Sequence, residues 1–147
     1  IGLFQDTIEK VVALAVLMPI VASMGGIAGT QSLTVLIRAM AMGQINDRTE
    51  IWLVRREILV SLINGLLWAV VIAVIASYWF SDIRLGMIIA LAIVINLITA
   101  GIAGASLPLL LDRLDIDPAL AGGVVLTTIT DVVGFFAFLG LAAYFYG

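Results

Sequence analysis

Thr127-Thr128-Ile129-Thr130-Asp131-Val132-Val133-Gly134 sets one carboxylate in the middle of an apolar run, Ala119–Tyr146, that contains no other acid. About 20 apolar residues, rising about 1.5 Å each, cross a hydrocarbon core of about 30 Å. The run therefore reads as a membrane helix. A charge at bilayer depth costs about 2.5–3.5 kcal/mol on insertion scales, so such residues face a protein interior or a wet pathway and carry function. Asp131 reads as a cation or proton site. The structural alternative is a protonated, hydrogen-bonded packing residue.

Working outward, the whole chain has a membrane composition: 147 residues, 63% hydrophobic and 12% charged. It holds no His and no Cys. That removes disulfides, thiolate nucleophiles, the usual zinc ligands and the imidazole base, and with them most enzyme chemistry. A metal site must be built from oxygen, which suits hard cations. The seven basic residues are scattered, with no basic stripe, so nucleic acid is not an expected partner.

Four spans are expected, an all-α membrane protein forming a single transmembrane domain over residues 1–147: residues 11–42 with a glycine break at 25–29, 58–80, 85–111 and 119–146. The first is too long for one straight crossing, and a kink or unwound turn is expected at Ser23–Ser32. Arg38, Arg48, Arg55, Arg56 and Arg113 flank the first and third connections, against Lys10 and Arg84 on the other side. The excess places those connections inside and both chain ends outside. An outside N-terminus beginning at Ile1 leads to the expectation that a further span precedes it. Residues 43–57 read as a polar connection or as a short surface helix with Trp52 at headgroup depth. Tyr78, Trp79, Phe80, Tyr144 and Tyr146 form the expected outer aromatic belt.

In the third span Asn96, Thr99, Gly101, Gly104, Ala105 and Ser106 let helices approach closely, a packing role favoured over a pore-lining one. Asp112, Asp115 and Asp117 lack the glycine and glutamate of a calcium loop; Asp117-Pro118 reads as the N-cap and first residue of the last helix. On that helix Gly123, Thr127, Asp131 and Gly134 share one narrow polar face, and Thr128 adds a hydroxyl one turn from the acid. Gly25-Gly26-Ile27-Ala28-Gly29-Thr30-Gln31-Ser32 offers backbone, amide and hydroxyl oxygens at membrane depth, for tight packing or for a permeation path. One carboxylate serves a divalent ion poorly, whereas a homodimer with a pore on its two-fold axis brings two copies of Asp131 together. Magnesium sheds water reluctantly, so the pair would hold a hydrated ion. Other classes stay open: a proton- or ion-coupled carrier in which Asp131 titrates, a non-transporting structural subunit, and an intramembrane protease, for which the single deep acid and the missing His speak against.

Three ordered motifs make the chain resemble the MgtE-type magnesium transporters: Gly25–Ser32 running to Arg38-Ala39; Gly104 to Leu107-Pro108; and Asp117-Pro118-Ala119 with Thr127–Gly134. The resemblance implies a homodimer in the bilayer with five membrane helices per subunit, of which this chain holds the last four, and a magnesium-selective channel in the cell membrane of a prokaryote. It implies Mg2+ as the transported ion, with Mn2+ or Co2+ as alternatives. It also implies that Asp131 of both subunits and the Thr127 carbonyl form the metal site. Pore-lining positions are Gly25, Gly26, Gly29, Thr30, Gln31, Gly123, Thr128 and Gly134, and cytosolic regulatory domains are absent from this chain. The family pattern commonly has Asn at Ile27 and Pro at Val124, so one polar side chain and one helix break are missing here.

Overall fold

The structure is a computed structural model that describes residues 1–146; Gly147 and the side chains of Lys10 and Asp47 lie outside the described residues. A short 3-10 turn (Gly2–Phe4) and helix α1 (Gln5–Lys10) lead into four long helices. These are α2 (Ala13–Ala41), α3 (Asp47–Phe80), α4 (Ile83–Arg113) and α5 (Pro118–Tyr146). Each is long and apolar enough to cross a membrane.

The central helix is α4, which packs against α2, α3 and α5. Its sequence explains why: Leu85, Ile88, Ile89, Ala92, Ile93, Asn96 and Leu97 recur at three- and four-residue spacing and are all buried. Below them, small residues bring backbones together. A Cβ on Gly104 would stand 2.5 Å from the Gly29 carbonyl oxygen and 2.9 Å from the Ser32 Cβ. Only glycine fits there, and α2 and α4 cross in close contact. Helix α3 packs on α4, makes little contact with α2, and turns Leu66, Leu67, Val70 and Val74 outward, an apolar surface suited to lipid.

Two expectations are corrected. The first span is not broken at Gly25–Gly29: α2 is helical from Ala13 to Ala41. Gly25 and Gly29 are buried, and they lie against Asn96 and Leu126, so the glycines serve close packing and the helical hydrogen bonds persist. The second span begins well before Ile58. The Asn46 side chain accepts from the backbone N–H groups of Arg48 and Thr49, each at 3.0 Å, and the Thr49 Oγ1 accepts from the Asn46 N–H at 2.8 Å. This capping box starts α3 at Asp47 and leaves a connection of only a few residues. At 34 residues α3 is about 51 Å long, so it overshoots the hydrocarbon core at its arginine-bearing end.

The other ends are equally well defined. After α2, Gly43 takes φ +68°, with its N–H on the Met40 carbonyl and that of Gln44 on Ala39, a Schellman stop. After α4, Asp115 takes φ 59° and Ile116 N–H reaches the Leu111 carbonyl. The Asp117 side chain accepts from the Ala119 N–H at 3.0 Å, the expected N-cap. Thus Asp115 closes α4 and Asp117 opens α5. Arg113 Nη2 meets Glu50 Oε1 at 3.0 Å, so the two arginine-rich connections lie on one side of the bundle. At the opposite end Asp82 N-caps α4, and the Tyr146 hydroxyl donates to its other carboxylate oxygen at 2.5 Å. Arg84 stacks 5.0 Å over the Tyr146 ring. The hydrogen bond from Tyr146 holds the Asp82 carboxyl below the usual carboxylate range.

Candidate cation site

Helix α2 presents Ala22, Ser23, Gly26 and Thr30 along one face at three- and four-residue spacing, and α5 sets Thr127 and Asp131 opposite, one turn apart. Together with Pro19, Ile27 and Gln31 they line a groove of about 630 Å³. Asp131 is half-buried, and among the described residues no arginine or lysine nitrogen lies within 4.0 Å of its carboxylate. The charge is thus left for something entering the groove.

The hydroxyls are already oriented. Thr30 Oγ1 donates to the Gly26 carbonyl at 2.8 Å, which uses its proton within the helix. What remains on that oxygen is acceptor capacity, the polarity needed to receive hydrogen bonds from water around a cation. Thr130 is fully buried and its Oγ1 donates to the Thr127 carbonyl at 3.2 Å, so the carbonyl expected at the ion already has one partner.

Of the expected pore-lining residues, Gly26, Thr30 and Gln31 are on the groove wall with Thr127 and Asp131. Gly25, Gly29 and Gly134 are not: they are buried against Asn96, Leu126 and Asn96 respectively. The physical reason on α5 is a packing stripe, Gly122, Leu126, Thr130, Gly134 and Phe138, which recurs every four residues and faces the bundle. Gly123 and Thr128 are exposed and lie outside the groove lining; Thr128 Oγ1 back-bonds to Val124 at 2.8 Å. Ile27 is 61% exposed and lies on the groove wall, where it contributes only apolar surface. A larger cavity of about 700 Å³ flanks the other side of α2, bordered by α3 and α4; like the groove it is mostly apolar, and it has no carboxylate on its wall.

One acid lies deeper than its place in the sequence suggests. Glu57, assigned to a connection, sits inside α3, is 7% exposed, and accepts from Ser32 Oγ of α2 at 2.9 Å. Asp131 is therefore not the only acid held inside the bundle. The signal was available as a four-residue repeat, Leu53, Glu57, Ser61, Gly65 and Ala69, all buried. Asn96, expected to pack or to line a pore, is fully buried with Nδ2 donating to the Val21 carbonyl at 2.9 Å. Among the described residues no three acidic side chains converge, so a single chain offers one groove carboxylate.

Four apolar spanning helices define an integral membrane protein, in which Thr30, Thr127 and Asp131 share an open groove with an otherwise largely apolar wall. Comparison with known proteins sharpens that class. Residues 18–141 match the family model MgtE, described as divalent cation transporter. The magnesium transporter MgtE of Bacillus subtilis is 36% identical over 145 residues, covering 99% of this chain and 32% of the relative. That of Enterococcus faecalis is 30% identical, covering 97% and 31%, and that of Thermus thermophilus 34% identical, covering 95% and 31%. The chain belongs to the MgtE divalent cation transporter family. It spans about a third of the length of these relatives.

Proposed function

We propose that the chain forms the pore of a magnesium channel, in which two subunits face each other across their α2–α5 grooves and a hydrated Mg2+ passes down its electrochemical gradient between the two Asp131 carboxylates. The observation that carries this is the placement of Asp131: half-buried on the groove wall, next to Thr127, with no cationic partner among the described residues. Two such carboxylates match the charge of one divalent ion, and magnesium sheds its water reluctantly, so the pair would hold it with its hydration shell in place. That its relatives are magnesium transporters supports the choice of ion.

Calorimetric titration of the purified protein with Mg2+, Mn2+ and Co2+, repeated on Asp131→Asn, tests the site. Saturable Mg2+ binding with one ion per two chains, abolished in the variant, is expected. Undiminished binding to the variant overturns the assignment. A second reading, a proton-coupled carrier, draws on the second interior carboxylate, Glu57. It requires Mg2+ flux to vanish when the proton gradient is collapsed at constant membrane potential, whereas the channel reading requires flux to persist.

A further inference from the structure

We infer that Asn96 is the positioning residue of the cation groove: one side chain from the central helix that sets the spacing and height of the α2 wall against the α5 wall. The inference rests on the reading of the groove as the ion path. Asn96 touches both walls from behind. Its amide lies against Gly25 of α2, where a Cβ would strike Nδ2, and against Gly134 of α5, where a Cβ would stand 2.7 Å from the same nitrogen. Gly25 adjoins the groove residue Gly26, and Gly134 follows Asp131 by three positions. No other side chain on α4 meets both of these glycines at that range.

The two contacts differ in kind. Toward α2 the amide makes a directional bond, Nδ2 to the Val21 carbonyl, one turn before Gly25. A hydrogen bond has a preferred length and angle, so it fixes α2 lengthwise and thereby the height of Gly26 and Thr30 relative to Asp131. Toward α5 there is contact only: Oδ1 is buried and has no hydrogen-bond partner. An aliphatic side chain would fill the same space without that unpaired oxygen. What the amide adds beyond packing is the grip on the Val21 carbonyl. Helix α2 is thus pinned to α4 at the level of the groove, whereas α5, which carries Asp131, meets Asn96 there by shape alone and is tied to α4 by the Tyr146–Asp82 hydrogen bond at its far end.

Two measurements on the same variants test this. Because the chain contains no Cys, labelling sites introduced by Thr34→Cys on α2 and Val125→Cys on α5 are the only thiols. Electron–electron resonance between spin labels there, with labelled protein diluted into unlabelled, reads the wall spacing within one subunit. Fluxes of Mg2+ and Mn2+ into liposomes read the ion path. Asn96→Ala removes the bond and the contact. Asn96→Ser, whose hydroxyl can satisfy itself on its own helix, removes the reach to both glycines without leaving a buried unpaired group. The expected result in both variants is a shifted or broadened distance distribution and a Mg2+/Mn2+ flux ratio changed by about tenfold, since ångström-scale misplacement is costly in a site that works by fixed geometry. Fluxes that fall in proportion, with the ratio and the distances as in wild type, make Asn96 a mere packing residue and overturn the inference. A wild type that conducts no divalent ion sinks the ion-path reading instead, and the distances still decide whether Asn96 sets the walls.

Discussion

Replacing Gly104 by Ala sets two effects of opposite sign against each other, and the structure decides which wins. Alanine is the better helix former by about 0.8–1.0 kcal/mol, so an unobstructed substitution stabilises. At Gly104 the added methyl would stand 2.5 Å from a backbone oxygen, Gly29 O, and 2.9 Å from Ser32 Cβ, neither of which is the far end of a flexible side chain. Relief requires α2 and α4 to separate, an overpacking cost of about 1–3 kcal/mol that belongs at its upper end here. The net is a loss of about 2 kcal/mol. Gly65 of α3 is the internal control: its Cβ would meet Leu97 Cβ at 3.4 Å and the Val94 Cα at 3.5 Å, ordinary contact, so Gly65→Ala gains close to the full propensity term. The two variants should differ by about 3 kcal/mol, or about 6–12 °C in melting temperature for a chain of this size. Thermal denaturation in detergent, followed by size-exclusion chromatography, measures it. A Gly104→Ala protein as stable as Gly65→Ala would refute the close α2–α4 crossing.

Other outcomes follow from single contacts. Ser32→Ala strips the Glu57 carboxyl of its only side-chain donor among the described residues and should cost about 1–3 kcal/mol of thermal stability, whereas Glu57→Gln retains an acceptor for Ser32 and should cost less; equal losses in the same melting assay would contradict the bond. The depressed Asp82 carboxyl gives an acid limb with a definite sign. A carboxyl lowered in the folded state adds stability that is complete above its ordinary value of 3.8 and is lost as pH falls from there through the folded value. Tyr146→Phe removes the largest cause of the shift, so its melting temperature should fall less steeply with acid than wild type; parallel curves would exclude the Tyr146–Asp82 link. Arg113→Ala breaks an ion pair whose arginine is 71% exposed, and denaturation should register less than about 1 kcal/mol.

The membrane spans were legible in the sequence because length and apolar content alone set them, and the last helix was legible to its first turn because Asp117-Pro118 carries its own start signal. Helix starts driven by side-chain geometry were less visible. The Asn46–Thr49 capping box lies in a polar stretch that also reads as a loop, so ten residues of α3 and the buried Glu57 were assigned to a connection. The glycines of α2 misled for a related reason. A glycine-rich segment at membrane depth is compatible with an unwound turn or with tight crossing, and only the partner surface, here Asn96, Leu126 and Gly104, selects the second. The groove itself was half legible: Asp131, Thr127, Gly26, Thr30 and Gln31 share it, while Gly134 turns to the packing stripe, since a 60° difference on one helix face is enough to move a residue from cleft to core.

The proposed role of Asp131, a carboxylate with no cationic partner among the described residues, is to carry the transported ion. Mg2+ uptake into liposomes containing the protein, driven by a fixed inward gradient and read by an entrapped indicator, tests it most directly when wild type is set beside Asp131→Ala at matched folded protein. Uptake in wild type that falls in the variant to the rate of empty liposomes is expected. Undiminished uptake through Asp131→Ala would contradict it.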